Sequence, residues 1–282
     1  MKQLANYLVF GNVLIALGAA SLFWLTCALN NFAIEFDFAV SFVFSATLVT
    51  YILQRYLQLD YTNSNGFNQR TTWISHNIQT VIFIGGVALV AAFFCFILSG
   101  MEFNKWLLLP AIVIVLYPLP ILLGKKPRDF IILKSLIISG IWAFATVTIP
   151  FMAYETHPFE EVMWTQFLER FIFILIIKLP FDLKNWYQRT STNVGEVKSL
   201  VGKYFAMILG GILIILYAIG YYLNHQLEGN ILQIIAPLVI VLGLITFLLI
   251  IKGSFKSDWH QGFYLDGVLI LHFALVFAFM QL

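Results

Sequence analysis

Apolar runs of about the length needed to cross a bilayer, roughly 20 residues, recur from one end of this 282-residue chain to the other. With 61% hydrophobic and 11% charged residues, the chain is far more apolar than a soluble domain. We therefore predict an all-α, polytopic membrane protein that forms a single transmembrane helical domain over 1–282. The predicted spans, nine in number, are 7–29, 38–54, 79–99, 106–123, 130–153, 164–181, 204–223, 230–251 and 263–281.

The positive charges are distributed unequally between the two sides of these spans. If Lys2 is cytoplasmic, fourteen of the sixteen Lys and Arg residues fall on the cytoplasmic side, and Lys105 and Arg170 fall on the other. Short loops rich in Lys and Arg stay in the cytoplasm. This predicts a cytoplasmic N-terminus. Because the basic residues are spread along a membrane face, they indicate contact with membrane lipid and not with nucleic acid.

The first run, 7–29, exceeds the hydrophobic region of a signal peptide and is predicted to be a retained membrane helix. Cys27 and Cys95 lie in apolar spans without metal-ligand spacing, so neither a disulfide nor a metal site is expected from them. Four ionisable residues lie within or near later spans and show no obvious pairing: Glu169, Arg170, Asp266 and His272. They are too few for an ion pathway, which disfavours a small-solute transporter.

Two longer connections, 55–78 and 182–203, lie on the cytoplasmic side, and each begins as a polar continuation of a predicted helix. If the second helix continues, Ile52, Tyr56 and Asp60 share one helical face. Loops of this length are usually functional or disordered. The first of these connections is therefore a candidate site.

The continuation of the sixth helix has the same character. Its Asp182, Asn185 and Arg189 are spaced by three and four residues and share one face. Two polar helix ends on the same side of the membrane predict a shared opening into the bundle.

The nine-helix plan with polar motifs after the second and sixth spans resembles the UbiA superfamily of intramembrane prenyltransferases. That family carries N-x-x-x-D-x-x-x-D after its second helix and an Asp-rich motif, often D-x-x-D-x-x-x-D, after its sixth. Asp60 matches the last position of the first motif. The segment 179–185 resembles the start of the second, with Asp182 at its first aspartate. The resemblance implies a UbiA-like bundle that binds a prenyl diphosphate and transfers its prenyl group.

In the family these aspartates hold Mg²⁺, so the resemblance makes Asp60, Asp182 and Asn185 the candidate metal or headgroup ligands. The chain departs from both motifs. Ile52 and Tyr56 stand where Asn and Asp are expected, and Asn185 and Arg189 replace later aspartates. Mg²⁺ requires oxygen ligands, commonly carboxylates and substrate phosphates. The remaining carboxylates predict a weak or lost Mg²⁺ site.

Cations could bind the same headgroup directly, because arginine fits phosphate oxygens in a bidentate manner. The alternative for each is a solvated or lipid-facing charge on the cytoplasmic side. The candidate phosphate-binding residues are Arg55, Arg70, Lys184, Arg189 and Lys198.

The leading hypothesis is a UbiA-like protein of the bacterial inner (cytoplasmic) membrane that binds a prenyl or polyprenyl (di)phosphate lipid, with altered or lost catalysis. Whether it is an enzyme stays open. The alternative is a non-catalytic membrane subunit or scaffold that keeps the fold and binds a protein partner.

Overall fold

The computed structural model describes residues 2–62, 69–103, 105–116, 131–155, 159–190, 211–212, 214–215, 217–220, 239–241, 244 and 258–281. Within these ranges every regular element is helical, which confirms the all-α prediction. The helices are α1 (Lys2–Phe10), α2 (Val13–Leu29), α3 (Phe38–Thr62), α4 (Gln69–His76), α5 (Ile78–Leu98), α6 (Leu108–Leu116), α7 (Ile131–Ala143), α8 (Ile149–Tyr154), α9 (Glu161–Thr190) and α10 (Asp258–Met280). A 3₁₀ turn, Lys105–Leu107, precedes α6, and a π-helical turn, Phe144–Thr148, joins α7 to α8.

Several of these elements are suited to a bilayer. Four stretches in the described residues are long and apolar enough to cross it: Phe38–Leu57, Ile78–Leu98, Leu133–Tyr154 and Gly262–Met280. Two shorter apolar helices are Val13–Leu29 and Lys105–Val115. The protein is therefore membrane-embedded. The predicted spans 204–223 and 230–251 lie mostly outside the described residues, so the number nine stays a prediction.

Helix α5 shows most directly which surface faces lipid. Its side chains Phe83, Val90 and Phe94 are 71%, 56% and 55% exposed. Apolar side chains of this size on a helix surface are normal where the surrounding solvent is hydrocarbon. The opposite side of α5 packs on α3, where Gly85 meets Ile52.

Helix α2 lies at the centre of the described bundle and packs against α3, α10 and the π-helical turn. Small residues allow the close approach. A Cβ at Gly18 would lie 2.8 Å from the Leu269 Cδ1 atom of α10. Further along, the Trp24 and Phe273 rings are 5.9 Å apart between centroids. Residue numbers rise together along this contact, so α2 and α10 run parallel.

The first predicted span, 7–29, is not one helix. It breaks at Gly11 and Asn12, between α1 and α2, so the prediction of a single continuous helix was wrong. Asn12 has φ 63°, in the left-handed region that asparagine tolerates better than most residues. A side chain at Gly11 would place Cβ 2.3 Å from the Tyr7 carbonyl oxygen. Glycine is therefore required at position 11, and the left-handed residue after it ends the helical path.

The fifth predicted span is also irregular at the π-helical turn. The Thr26 hydroxyl of α2 donates a 2.6 Å hydrogen bond to the Thr146 carbonyl oxygen, and the Thr146 hydroxyl donates to the Trp142 carbonyl oxygen at 2.8 Å. A π-helical turn disturbs the regular backbone hydrogen bonding of a helix. Here a side chain from α2 bonds to one of the carbonyl groups in that turn.

Arg170 of α9 has a pairing that the sequence did not reveal. It is only 5% exposed, and its Nη1 donates a 2.8 Å hydrogen bond to the Leu22 carbonyl oxygen of α2. Its Nη2 lies 3.4 Å from the Thr26 hydroxyl. One helical turn further along α2, the side-chain amides of Asn30 and Gln166 form two hydrogen bonds with each other, of 2.9 and 3.0 Å. These contacts join α2 and α9 as antiparallel neighbours.

Candidate functional site

Two helix contacts determine where the predicted polar helix ends lie. The Trp142 indole of α7 donates a 3.0 Å hydrogen bond to the Tyr51 hydroxyl of α3, while Tyr154 donates to Asp37 at the other end. Helix α3 therefore runs antiparallel to the α7–α8 segment. As a result, the C-terminal end of α3 lies beside the start of α7.

Helix α9 reaches the same end of the bundle. Lys178 Nζ lies 3.4 Å from the Lys134 carbonyl oxygen near the start of α7. Towards its other end, α9 meets α7 where Phe171 lies beside Gly140. The two helices are therefore antiparallel, and the C-terminal ends of α3 and α9 point the same way. We call this end, which contains α1, α4, Arg55, Lys134 and Lys178, the basic end.

Both polar helix ends continue as helices, as the spacing predicted. Helix α3 extends to Thr62 and therefore includes Ile52, Tyr56 and Asp60. Much of the expected loop 55–78 is thus helical, because α4 follows at Gln69. The backbone places Asp60 in the last turn of α3 at the basic end, and its side chain lies outside the described part of the structure.

Helix α9 extends to Thr190 and places four further candidates on its C-terminal turns: Asp182, Lys184, Asn185 and Arg189. Their side chains lie outside the described part of the structure, as does the whole of Lys198. The helices carrying the two candidate aspartates end at the same side of the bundle, and their assignment as ligands stays a prediction.

Arg70 is the candidate cation whose surroundings the structure describes most fully. Its guanidinium carbon lies 5.7 Å from the centre of the Phe10 ring, a cation–π distance. Its Nη2 lies 3.5 Å from the Val9 carbonyl oxygen, at the limit of a hydrogen bond. A Cβ at Gly262 would lie 2.7 Å from this nitrogen, so α10 approaches the guanidinium with its backbone.

The guanidinium of Arg70 is poorly satisfied for a group with five N–H donors. Its Nε is buried without a hydrogen-bond partner among the described residues. Burying an N–H donor costs free energy of folding unless an acceptor forms a hydrogen bond with it. An acceptor that reached this nitrogen would offset that cost.

Asp266 of α10 is a buried carboxyl group that the sequence pattern did not connect to the basic end. It is 7% exposed and interacts electrostatically with both Arg70 and Arg55. It lies one helical turn beyond Gly262, which contacts Arg70 directly. The described site thus contains two arginines from α3 and α4 and one buried carboxylate from the last helix.

Aromatic packing holds α4 and α1 together beside this site. The rings of Trp73 and Tyr7 meet edge to face with centroids 4.9 Å apart, and the Tyr7 hydroxyl donates to the Asn77 amide oxygen at 3.2 Å. Trp73 also contacts Phe10, the residue under the Arg70 guanidinium. These contacts fix the helix that carries Arg70.

The two described positions of the first motif do not supply metal ligands. Ile52 is 6% exposed and belongs to an apolar cluster with Ala16, Leu48 and Val81. Tyr56 is 48% exposed. A group of three or more His, Cys, Asp or Glu side chains that could hold a metal was not found among the described residues.

Comparisons with protein-family models, with curated proteins and with solved structures find no match to this chain.

Proposed function

We propose that this chain is an integral membrane protein that binds the phosphate or diphosphate headgroup of a prenyl or polyprenyl lipid at the basic end. The observation that carries the proposal is the guanidinium of Arg70, which is held by neighbouring helices and whose buried Nε lacks a hydrogen-bond partner among the described residues. The UbiA resemblance supplies the lipid class. The predicted location is the cytoplasmic side of a bacterial inner membrane.

The chemistry of the described site suits such a headgroup. Arginine binds phosphate oxygens through planar, paired N–H donors. Charge attraction is stronger at a site partly shielded from water than at an exposed one. Arg55 contributes a second cation, and the charges of both arginines act on the buried Asp266 carboxyl. The apolar bundle next to this site accommodates the lipid tail.

Mg²⁺ is not needed to explain this binding. In the family that this chain resembles, the residues at the positions of Ile52 and Tyr56 help to hold a metal. The side chains of Ile52 and Tyr56 offer no carboxylate for that role. The described part of the first motif therefore does not fit the metal. Asp60, Asp182 and Asn185 stay as candidate ligands at the same end of the bundle.

Prenyl transfer with an altered site is the catalytic form of the proposal. Transfer breaks the bond between the prenyl carbon and the headgroup oxygen and forms a bond from that carbon to an acceptor nucleophile, which loses a proton. Negative charge grows on the departing diphosphate. Cations placed at that charge stabilise the transition state. Arg70 and Arg55 are the described residues that would do so.

A second candidate function is a non-catalytic subunit or scaffold that retains the bundle and binds a protein partner. The burial of Ile52 in an apolar cluster favours it, because this motif position contributes to packing and not to ligand binding. If the protein is a scaffold, the cations of the basic end contact membrane lipids or the protein partner.

The experiment is equilibrium binding of radiolabelled farnesyl diphosphate to the purified protein, with and without chelator. The proposal predicts saturable binding that survives the chelator and falls about 10- to 100-fold in Arg70→Gln, because a hydrogen bond to a charged group contributes roughly 1.5–3 kcal/mol. Arg55→Gln should also weaken binding.

The matched control is Lys105→Gln, which removes an exposed cation at the opposite end of the bundle and should leave binding unchanged. Binding abolished by chelator would contradict direct headgroup binding by cations. No binding, together with copurification of a stoichiometric protein partner, would favour the scaffold.

A further inference from the structure

The break in the first span creates a helix N-terminus beside the proposed site. Helix α2 begins at Val13, and the first backbone N–H groups of a helix have no partner within the helix. The N-terminus also carries a partial positive charge from the helix dipole. Asn12 is the capping residue, and its side chain makes no capping hydrogen bond.

The Asn12 side chain provides an independent observation at the same place. The residue is 2% exposed, and its amide nitrogen is buried without a hydrogen-bond partner among the described residues. A buried N–H donor without an acceptor is uncommon and costly. An acceptor placed beside the Asn12 amide would therefore be stabilised.

Arg70 contacts the chain segment that immediately precedes Asn12. It contacts Val9 and Phe10, the last turn of α1, and Asn12 follows Phe10 by two residues. Its Nε is the second buried donor at this place that lacks a partner among the described residues. Both unsatisfied groups are donors, and the adjoining helix end also presents donors, so an acceptor would satisfy them. The charge of Arg70 and the partial positive charge of the helix end favour an anionic acceptor.

We propose that the N-terminus of α2, the amide of Asn12 and the guanidinium of Arg70 together bind one phosphate group. The interruption of the first span then forms part of a binding site, because helix N-termini bind anions through their free N–H groups and their dipole. Asparagine suits position 12 because it combines tolerance of the left-handed backbone with an amide donor. This inference rests on the proposed function and names the chain segment that holds the headgroup.

The test compares Asn12→Gly and Asn12→Asp with wild type. Glycine keeps the left-handed conformation and removes the amide, whereas aspartate replaces the donor with a negative charge. The matched controls are Asn31→Gly and Asn31→Asp, because Asn31 is an exposed asparagine with φ 57° at the other end of α2. The probes are farnesyl diphosphate, farnesyl monophosphate, inorganic diphosphate and farnesol.

Asn12→Gly is expected to weaken farnesyl diphosphate binding about 10-fold, the loss of one hydrogen bond to a charged group, and Asn12→Asp more strongly. Both Asn31 variants should bind like wild type, and farnesol should not depend on Asn12. If inorganic diphosphate binds as tightly as the farnesyl compound, with the same dependence on Asn12, the ligand is a free phosphate compound and the phosphate site stands.

A measurement on wild type avoids any folding defect of the variants. Backbone amide hydrogen exchange over the first turn of α2, residues 13–15, should slow when farnesyl diphosphate is added. Unchanged exchange there would overturn the inference.

The two proposals fail in different ways. If wild type binds farnesyl diphosphate and Arg70→Gln weakens it, while folded Asn12 variants bind like wild type, the inference is overturned and the proposed function stands. If none of the phosphate probes binds wild type, both are overturned.

Discussion

Arg70 lies with its guanidinium carbon 5.7 Å from the centre of the Phe10 ring, so the fourth helix places a cation against the last turn of the first. The aromatic face stabilises the charge without accepting its hydrogen bonds in the plane of the guanidinium. Arg70 is therefore held in position while its buried Nε lacks a hydrogen-bond partner among the described residues. This combination of a fixed position and an unpaired donor is the basis of the proposed headgroup site.

The contact between Arg70 and α10 predicts different effects for two glycines of the same helix. In Gly262→Ala the new Cβ would lie 2.7 Å from Arg70 Nη2 and 2.9 Å from Val9 Cγ1. We expect a loss of about 1–3 kcal/mol of stability from overpacking, together with weaker headgroup binding. Thermal unfolding of the detergent-solubilised protein measures the first effect.

Gly267→Ala is the matched control, since no atom lies within 4 Å of the added Cβ. It should be neutral or stabilising by up to about 1 kcal/mol, because alanine is the better helix former. Equal effects of the two substitutions would contradict the described packing of α10.

Arg170 is predicted to stabilise the bundle and to have no direct part in headgroup binding. Arg170→Met removes the hydrogen bond to the Leu22 carbonyl oxygen and the contact with Thr26. We expect a loss of about 1–3 kcal/mol, with probe affinity unchanged in the fraction that stays folded. Size-exclusion chromatography and unfolding in denaturant give the stability. Wild-type stability of Arg170→Met would show that this interhelical contact is not needed.

The hydrogen bond from Trp142 to Tyr51 predicts energetic coupling between α7 and α3. Trp142→Phe and Tyr51→Phe each remove it. Each should cost about 0.5–1.5 kcal/mol. The double variant should cost less than the two losses added together, because the second substitution removes nothing more from this pair. Strict additivity in this double-mutant cycle would mean that the two side chains do not interact.

Parallel packing of α2 and α10 predicts that the two chain ends lie on opposite sides of the membrane. Cysteines introduced at the exposed Gln3 and Gln281, in a background with Cys27 and Cys95 replaced by alanine, report this sidedness. An impermeant maleimide should label Gln3→Cys only from the cytoplasmic side and Gln281→Cys only from the other. Labelling of both from one side would contradict the parallel arrangement.

Sequence patterns predicted the elements that depend on local composition. The apolar run 79–99 corresponds closely to Ile78–Leu98, and the polar continuations carrying Asp60 and Asp182 are helical as expected. Hydrophobic length and helical spacing are local properties, and they are read directly from consecutive residues. The number of spans and the sidedness of the chain are still predictions.

Features that depend on packing between distant segments were missed. The pair Gly11–Asn12 is a turn signal, but it lies inside an apolar run that is long enough to be read as one helix. The partners of Arg170 are a backbone carbonyl and a hydroxyl of α2, about 145 residues away in sequence, and neither has a recognisable spacing. The approach of Asp266 to Arg70 likewise depends on how α10 docks on α1 and α4.

The most direct test of the central claim is an experimental structure of the protein in lipid nanodiscs with farnesyl diphosphate and chelator. The account predicts phosphate density at the basic end, with oxygens about 3 Å from the Arg70 guanidinium and the prenyl chain in the apolar bundle. Probe density elsewhere, or an Arg70 side chain whose donors are all bound by protein groups, would contradict it.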